Sequence, residues 1–438
     1  MTQLSKYQKK LKQLNPIRVN GKVTQVIGLT VESLGPDCKI GDVCELYPTF
    51  GANPLLAEVV GFRDHRGLLM PLGDLGAIGP GCEVVNTGRP LTIRVGDALL
   101  GRVLDGLGQP LDGLPMPSGL HTFSTSNAPV NPLLRPRIEK PLSTGVRAID
   151  GLLTVGKGQR VGIFAGSGVG KSTILGMIAR NTSADINVIA LIGERGREVM
   201  EFLERDLGAE GMGRSIVVVA TSDQPALIRI KGAIIATAIA EFFRDRGLDV
   251  MLMMDSVTRY AMAEREVGLA IGEPPATRGY TPSVFANLPK LLERSGQGRI
   301  GTITAFYTVL VDADDMNEPV ADAVRGILDG HIVLDRGLAQ KGHYPAIDVL
   351  NSVSRVMEQV VSPDQRQAAL NVKRLLSTYR ESEDLINIGA YKPGSNAAID
   401  TALKHIDNIN AFTRQEMYEQ SSLTEAVEQL MEQFKELS

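Results

Sequence analysis

The stretch from Arg160 to Ser172 reads RVGIFAGSGVGKS, an apolar run that enters a glycine-dense turn and closes on Gly170, Lys171 and Ser172. Glycines at Gly166, Gly168 and Gly170, with Ala165, Ser167 and Val169 between and before them, let successive backbone N–H groups converge on phosphate oxygens. The helix expected over Thr173 to Arg180 would present its positive end to the same place. Lys171 supplies a cation there, and the Ser172 hydroxyl is placed to reach Mg²⁺. The bland alternative is a structural glycine-rich turn, but a strand before and a helix after give the phosphate cradle its required context.

Two carboxylates and three arginines extend this chemistry. Asp255 ends the apolar run VMLMMD, where a carboxylate can orient Mg²⁺ through water or simply cap the next helix. Glu194 follows INVIALI within LIGERGREV; it can polarise an attacking water or form a surface ion pair with Arg195 or Arg197. Arg195, Arg259 and Arg355 are candidates to neutralise charge spread over a transferring phosphoryl group. Spacing leaves open which arginine acts within its own subunit and which acts on a neighbour.

The elements that would hold these residues alternate. INVIALI (186–192), SIVVVAT (215–221), VMLMMD (250–255), GTITAFY (301–307) and HIVLD (331–335) are nearly continuous apolar runs separated by helical or loop stretches. Such runs predict a parallel sheet covered on both faces, with ligands at the carboxyl ends of the strands. Residues 18–95 instead show short β-rich runs with turn signals every 8 to 12 residues, which predicts a small β-barrel or sandwich. A barrel of this kind can bind nucleic acid, but stacking aromatics are sparse, and Tyr47, Phe50 and Phe62 are expected in its core. Residues 96–150 read as a Gly/Pro-rich connection within a nucleotide domain spanning 96–361.

Residues 362–438 read as helical. The last helix opens on a Ser422/Glu425 capping box and carries Leu423, Val427, Leu430, Phe434 and Leu437 on one stripe, which suits intramolecular packing or a partner site. Residues 1–17 hold a short basic amphipathic helix with Leu4, Tyr7, Leu11 and Leu14 among lysines. It is too short to be stable alone, and reads as a frayed end or as a docking element for a partner protein or an anionic membrane.

Composition bounds the rest. A chain of 438 residues implies two or three domains. Its 46 basic and 50 acidic side chains are well mixed, so no global field favours nucleic acid. Cys38, Cys44 and Cys82 lack metal-ligand spacing and suit reduced packing thiols in a cytosol. The opening residues show no apolar signal region and no stretch approaches 18 uncharged apolar residues, so neither secretion nor membrane spanning is expected.

The chain resembles the catalytic subunits of rotary ATPase heads, and most closely the flagellar type III protein-export ATPases, from about residue 18 to residue 415. The resemblance rests on GKGQRVGIFAGSGVGKST, LIGERGREV, VVVATSDQPAL, DSVTRYAMAEREVGLAIGEPPATRGYTPSVFANLPKLLERSG, DDMNEPVADAVRGILDGHIVLDR, HYPAIDVLNSVSRVM and LINIGAYKPGSN. It implies an α/β fold, namely a RecA-like P-loop core with an N-terminal β-barrel and a C-terminal helical domain. It implies that Lys171 and Ser172 hold phosphate and Mg²⁺, Asp255 supports the metal, and Glu194 is the catalytic glutamate. By the same resemblance Arg195 and Arg259 contact the γ-phosphate of ATP, Arg355 is offered to the adjacent subunit, Tyr344 lies beside adenine, and Glu273 to Gly279 faces the ring's centre. Ala165 replaces the first glycine of the generic phosphate motif, which related members also tolerate. The implied setting is cytoplasmic and peripheral at the inner face of a membrane export apparatus. Implied partners are a dimeric regulator on the N-terminal helix, a coiled-coil central stalk, chaperone–substrate complexes and the export gate, with no specific nucleic acid. Alternatives are an injectisome ATPase, an RNA-translocating hexamer, or a nucleotide-binding subunit that barely hydrolyses. Because Glu194 and Arg355 occur in one chain, a homohexamer can complete every site from identical subunits.

Overall fold

The structure is a computed structural model that describes residues 19–49, 53–311 and 315–436; the basic N-terminal helix, Phe50 and Leu437 lie outside them. Two compact units emerge, one of residues 1–91 with 267–273, the other of residues 92–266 with 274–438.

The first unit is a closed barrel of β1 (Gly21–Ile27), β2 (Thr30–Leu34), β3 (Asp42–Tyr47), β4 (Leu55–Arg63), β5 (Arg66–Pro71) and β6 (Glu83–Pro90), in the order β1-β2-β5-β4-β3-β6. Closure leaves no free sheet edge. Alternating side chains fill the interior, including Val23, Val31, Leu46, Val59, Leu69 and Val84. Cys44 and Cys82 are buried among them, and burial pushes the Cys44 thiol up to about 12, so it behaves as a small apolar filler. The aromatic expectation is corrected here: Tyr47 and Phe62 are 38% and 52% exposed. Residue type alone did not reveal on which barrel face they fall.

The second unit is built on one sheet. The strands along its main path are β7 (Val103–Asp105), β8 (Arg160–Ala165), β9 (Ile186–Ile192), β10 (Ser215–Ala220), β11 (Asp249–Asp255), β12 (Thr302–Leu310), β13 (Gly330–Leu334) and β14 (Ile347–Ser354), ordered β14-β13-β8-β12-β11-β9-β10-β7, and the short strand Gly296–Gln297 pairs antiparallel with β12 off that path. All neighbouring pairs along this path are parallel except β13 with β14. Every residue of β9 and β10 is buried, as expected of strands covered on both faces. Val103–Asp105 forms the outer strand of this sheet, although the sequence around it reads as a connection. Parallel order puts the ends of β8, β12, β11 and β9 at one edge of the sheet, and with them Ala165, Asp255 and Glu194.

Among the helices, α1 (Lys171–Asn181) follows β8, and α2 (Pro363–Asn387), α3 (Ala397–Thr413) and α4 (Leu423–Phe434) lie beyond β14 toward the end of the chain. The Ser422/Glu425 capping box is formed, with both reciprocal hydrogen bonds present. The stripe on α4 packs inward: Leu430 and Phe434 are fully buried, and the Phe434 ring meets Phe412 of α3 edge to face at 6.3 Å between centroids. Among the described residues, no helix is long and apolar enough to cross a membrane.

Candidate active site

The turn from Gly166 to Gly170 joins β8 to α1. Gly170 is the residue before the first helical turn and has φ 93°, a left-handed value that disfavours any side chain. No side chain caps α1, so its first N–H groups face the turn and favour an anion. Val169 is buried beneath the loop and anchors it. A cavity of about 470 Å³ opens above, lined by Ala165, Gly166, Ser167, Gly168, Gly170, Lys171, Ser172 and Thr173 from the turn and helix. Glu194, Arg195 and Arg259 line the same cavity from neighbouring strand ends.

Lys171 is the electrostatic centre. Its Nζ lies 2.6 Å from Asp255 Oδ1 and 3.3 Å from Glu194 Oε1. Burial opposes its charge, but the two carboxylates outweigh that cost and hold the ammonium above its ordinary value. Asp255 is buried at the end of β11 and accepts a second hydrogen bond from Thr308 Oγ1 of β12 at 2.7 Å. It also precedes the helix Val257–Ile271, so its position at a helix start and its place beside the cradle coexist.

Glu194 is held at the exit of β9. Gly193 immediately before it has φ 72°, and a Cβ there would stand 2.8 Å from the Cβ of Arg259, so glycine permits the close approach of these two segments. Burial, then the nearby Asp255 charge, push the Glu194 carboxyl up to about 7, against the pull of Lys171. It shares a hydrogen bond with Glu198, whose own carboxyl is held below the usual range chiefly by that bond. The surface-pair alternative for Glu194 fails here, since its partner is Lys171; Arg195 pairs instead with Glu198 at 3.5 Å and is 79% exposed, and Arg197 with Glu201 at 2.8 Å.

Arg259 lines the cavity with its Nε buried and unpartnered among the described residues, which leaves a cationic donor for an incoming anion. Tyr344 stands beside the loop: a Cβ on Gly170 would lie 3.6 Å from its ring. Glu198 and Arg205 also line the cavity and were not singled out from sequence. Glu198 could have been found, because a helix opening at Gly196 turns a residue four beyond Glu194 back toward it. Arg205, in the π-helical turn Phe202–Leu207, carried no such signal.

Arg355 is not brought to this cavity. It follows β14, which runs antiparallel to β13, so Ser354 pairs with Gly330 while Ile347 pairs with Leu334 beside the cradle. Four residues of strand separate those levels, about 13 Å, which exceeds the reach of an arginine side chain. Arg355 is exposed.

The donor set suits a hard divalent ion held together with phosphate. Ser172 and Asp255 offer a hydroxyl and a carboxylate oxygen, and no cluster of three or more metal-ligating side chains occurs among the described residues. Mg²⁺ is ordinarily bound in that manner, through one or two protein oxygens plus substrate phosphates and water.

Comparison with known proteins gives the family and the fold. Residues 145–354 match the nucleotide-binding domain of the ATP synthase alpha/beta family, residues 23–88 its beta-barrel domain, and residues 361–432 the C-terminal domain of the type III secretion EscN ATPase. The flagellum-specific ATP synthase of Bacillus subtilis is 60% identical over 408 residues, covering 93% of both chains. The type 3 secretion system ATPase of Xanthomonas euvesicatoria is 54% identical over 400 residues, covering 90% of this chain and 89% of its own. The assembled ATPase EscN of enteropathogenic Escherichia coli superposes with a TM-score of 0.89 at 48% identity, over 94% of this chain and 99% of that one. The same ATPase in complex with its central stalk EscO gives 0.87 at 48% identity, with the same coverage.

Proposed function

The chain belongs to the ATP synthase alpha/beta family, in the branch of the flagellar type III export ATPases, and from that premise we propose that it is the ATP-hydrolysing motor of flagellar protein export. The B. subtilis relative, a flagellum-specific ATP synthase at 60% identity, supports the flagellar over the injectisome branch. By analogy with the assembled EscN and its stalk complex, the working form is a ring of identical subunits, a hexamer, around a central stalk. Chaperone release, substrate delivery to the export gate, a regulator on residues 1–17 and peripheral attachment at the inner membrane face complete the proposal.

The single observation that carries the enzymatic reading is the Lys171, Asp255 and Glu194 cluster at the cradle. The turn N–H groups and Lys171 receive the β- and γ-phosphates of ATP. Lys171 then exchanges its carboxylate partners for phosphate oxygens, which frees Asp255 and Glu194. Glu194 in its ionised form accepts a hydrogen bond from the attacking water and orients it in line with the leaving oxygen. Arg259 and Arg195 meet the negative charge on the γ-phosphoryl from within the subunit. Tyr344 borders the adenine, a reading supported by its ring lying beside Gly170. Mg²⁺ held by Ser172 and Asp255 would supply charge neutralisation on the phosphate oxygens. Arg355, unable to reach its own cradle, is offered to the neighbour's nucleotide.

Replacing the chromosomal gene with a Glu194→Gln allele tests the assignment. Flagellin export should fall to the level of the gene deletion when proton-motive force is limiting; export and motility equal to wild type would overturn the flagellar motor reading.

A further inference from the structure

Arg355 has a free head and a fixed root. Its guanidinium forms no hydrogen bond or ion pair with any described residue. Its backbone, by contrast, sits in a lattice of polar groups that runs from the half-buried Ser354 and Asp329 to the buried Gln159 and Thr154. The Arg355 N–H donates to the Asp329 carbonyl at 3.0 Å. The Gln159 side-chain amide donates to that same carbonyl at 3.1 Å and to Ser354 Oγ at 3.0 Å. Ser354 Oγ in turn donates to the Thr154 carbonyl at 2.9 Å. Gln159 and Thr154 are fully buried, while Ser354 and Asp329 are half-buried, so a broken bond leaves the Gln159 amide and the Thr154 carbonyl short of a partner where little water reaches them.

The lattice is closed at both ends. Arg160 grips the Asp329 carboxylate through its guanidinium at 3.0 and 3.1 Å and through its backbone N–H at 3.1 Å. The Thr154 hydroxyl accepts from Gln365 of α2 at 2.9 Å and donates to the Asp150 carbonyl at 2.7 Å. Gln159 also accepts from the Gly156 N–H at 2.9 Å, leaving its amide no freedom to rotate. None of these residues touches the nucleotide cavity of its own subunit.

We propose that Ser354 and Gln159 are positioning residues for Arg355, fixing the strand end from which it serves the neighbouring subunit's active site. The inference rests on the trans-acting role proposed above for Arg355. An arginine side chain is a lever roughly 7 Å long, so a turn of about 10° at its root moves the guanidinium by about 1 Å, and a misplacement of that size can cost up to about 10²-fold in rate.

The test is subunit mixing. Ser354→Ala should lower kcat of the assembled protein by roughly 10- to 100-fold, leaving the affinity of its own cradle for a fluorescent ADP analogue unchanged. Mixed with an excess of Glu194→Gln subunits, which cannot hydrolyse but carry an intact Arg355, the activity per Ser354→Ala subunit should rise severalfold, because most of its sites are then served by an undisturbed arginine. A merely structural defect in the subunit's own fold would not be rescued in this way. Arg355→Ala mixed with Glu194→Gln is the control. If that pair gains activity and the Ser354→Ala pair does not, or if Ser354→Ala alone matches wild type, the positioning role is refuted. If the control pair itself shows no gain, the trans-arginine reading fails and takes this inference with it. Gln159→Met, which preserves side-chain volume, carries the same comparison should Ser354→Ala fold poorly.

Discussion

At the carboxyl end of the central sheet, Lys171 rests against Asp255 and Glu194, and Thr308 holds Asp255 in turn. At the end of β14, one strand-length away, Arg355 stands exposed with no partner for its charge among the described residues, although the backbone beneath it is tied down by Gln159, Ser354 and Asp329. One region is an electrostatically compensated site that needs a ligand to open it; the other is a prepared charge with nothing of its own to neutralise. On the function proposed above, the two are halves of one reaction centre that a single subunit cannot close on itself.

The largest expected effect falls on the compensated end. Lys171→Ala should cost on the order of 10³-fold or more in kcat/KM and weaken nucleotide binding in the isolated subunit as well, since it removes the cation that meets the phosphates. Arg355→Ala should also cost on the order of 10³-fold, but in kcat of the assembled protein alone, with nucleotide affinity of the lone subunit intact. Equal loss of binding in both variants, measured by titration with a fluorescent nucleotide, would erase the distinction between the two ends.

A smaller effect comes from pH. The Glu194 carboxyl, raised to about 7, is protonated below that value and then donates rather than accepts a hydrogen bond. For the free enzyme kcat/KM should therefore climb roughly tenfold per pH unit up to about 7 and level off above it, and this limb should vanish in Glu194→Gln. An unchanged limb in that variant would assign the titration to another group. The smallest effect belongs to neither end: Ser422→Ala removes the α4 cap and should lower stability by about 1 kcal/mol in denaturant titration, with kcat and nucleotide affinity unmoved.

The two ends were also unequally legible in the sequence. A phosphate cradle is built from contiguous residues, so Ala165 to Thr173 announce themselves, and Glu194 and Asp255 follow because each ends an apolar run whose parallel neighbours must finish at the same edge. Glu198 and Arg205 enter the cavity only through the phase of a helix and a π-helical turn, which the string of letters does not display. The position of Arg355 depends on β14 running antiparallel, and nothing in HYPAIDVLNSVSRVM specifies that direction. Val103–Asp105 was hidden for another reason, since three residues among glycines show no periodicity. In the barrel, Tyr47 and Phe62 show the limit of reading burial from aromatic character.

The most direct measurement is specific ATPase activity against protein concentration, for the unaltered chain and for Arg355→Ala. The account predicts a rise in activity per subunit as the unaltered protein assembles, and a flat, low line for Arg355→Ala over the same range. A concentration-independent activity in the unaltered chain, or an Arg355→Ala curve that follows it, would contradict a reaction centre shared between neighbouring copies.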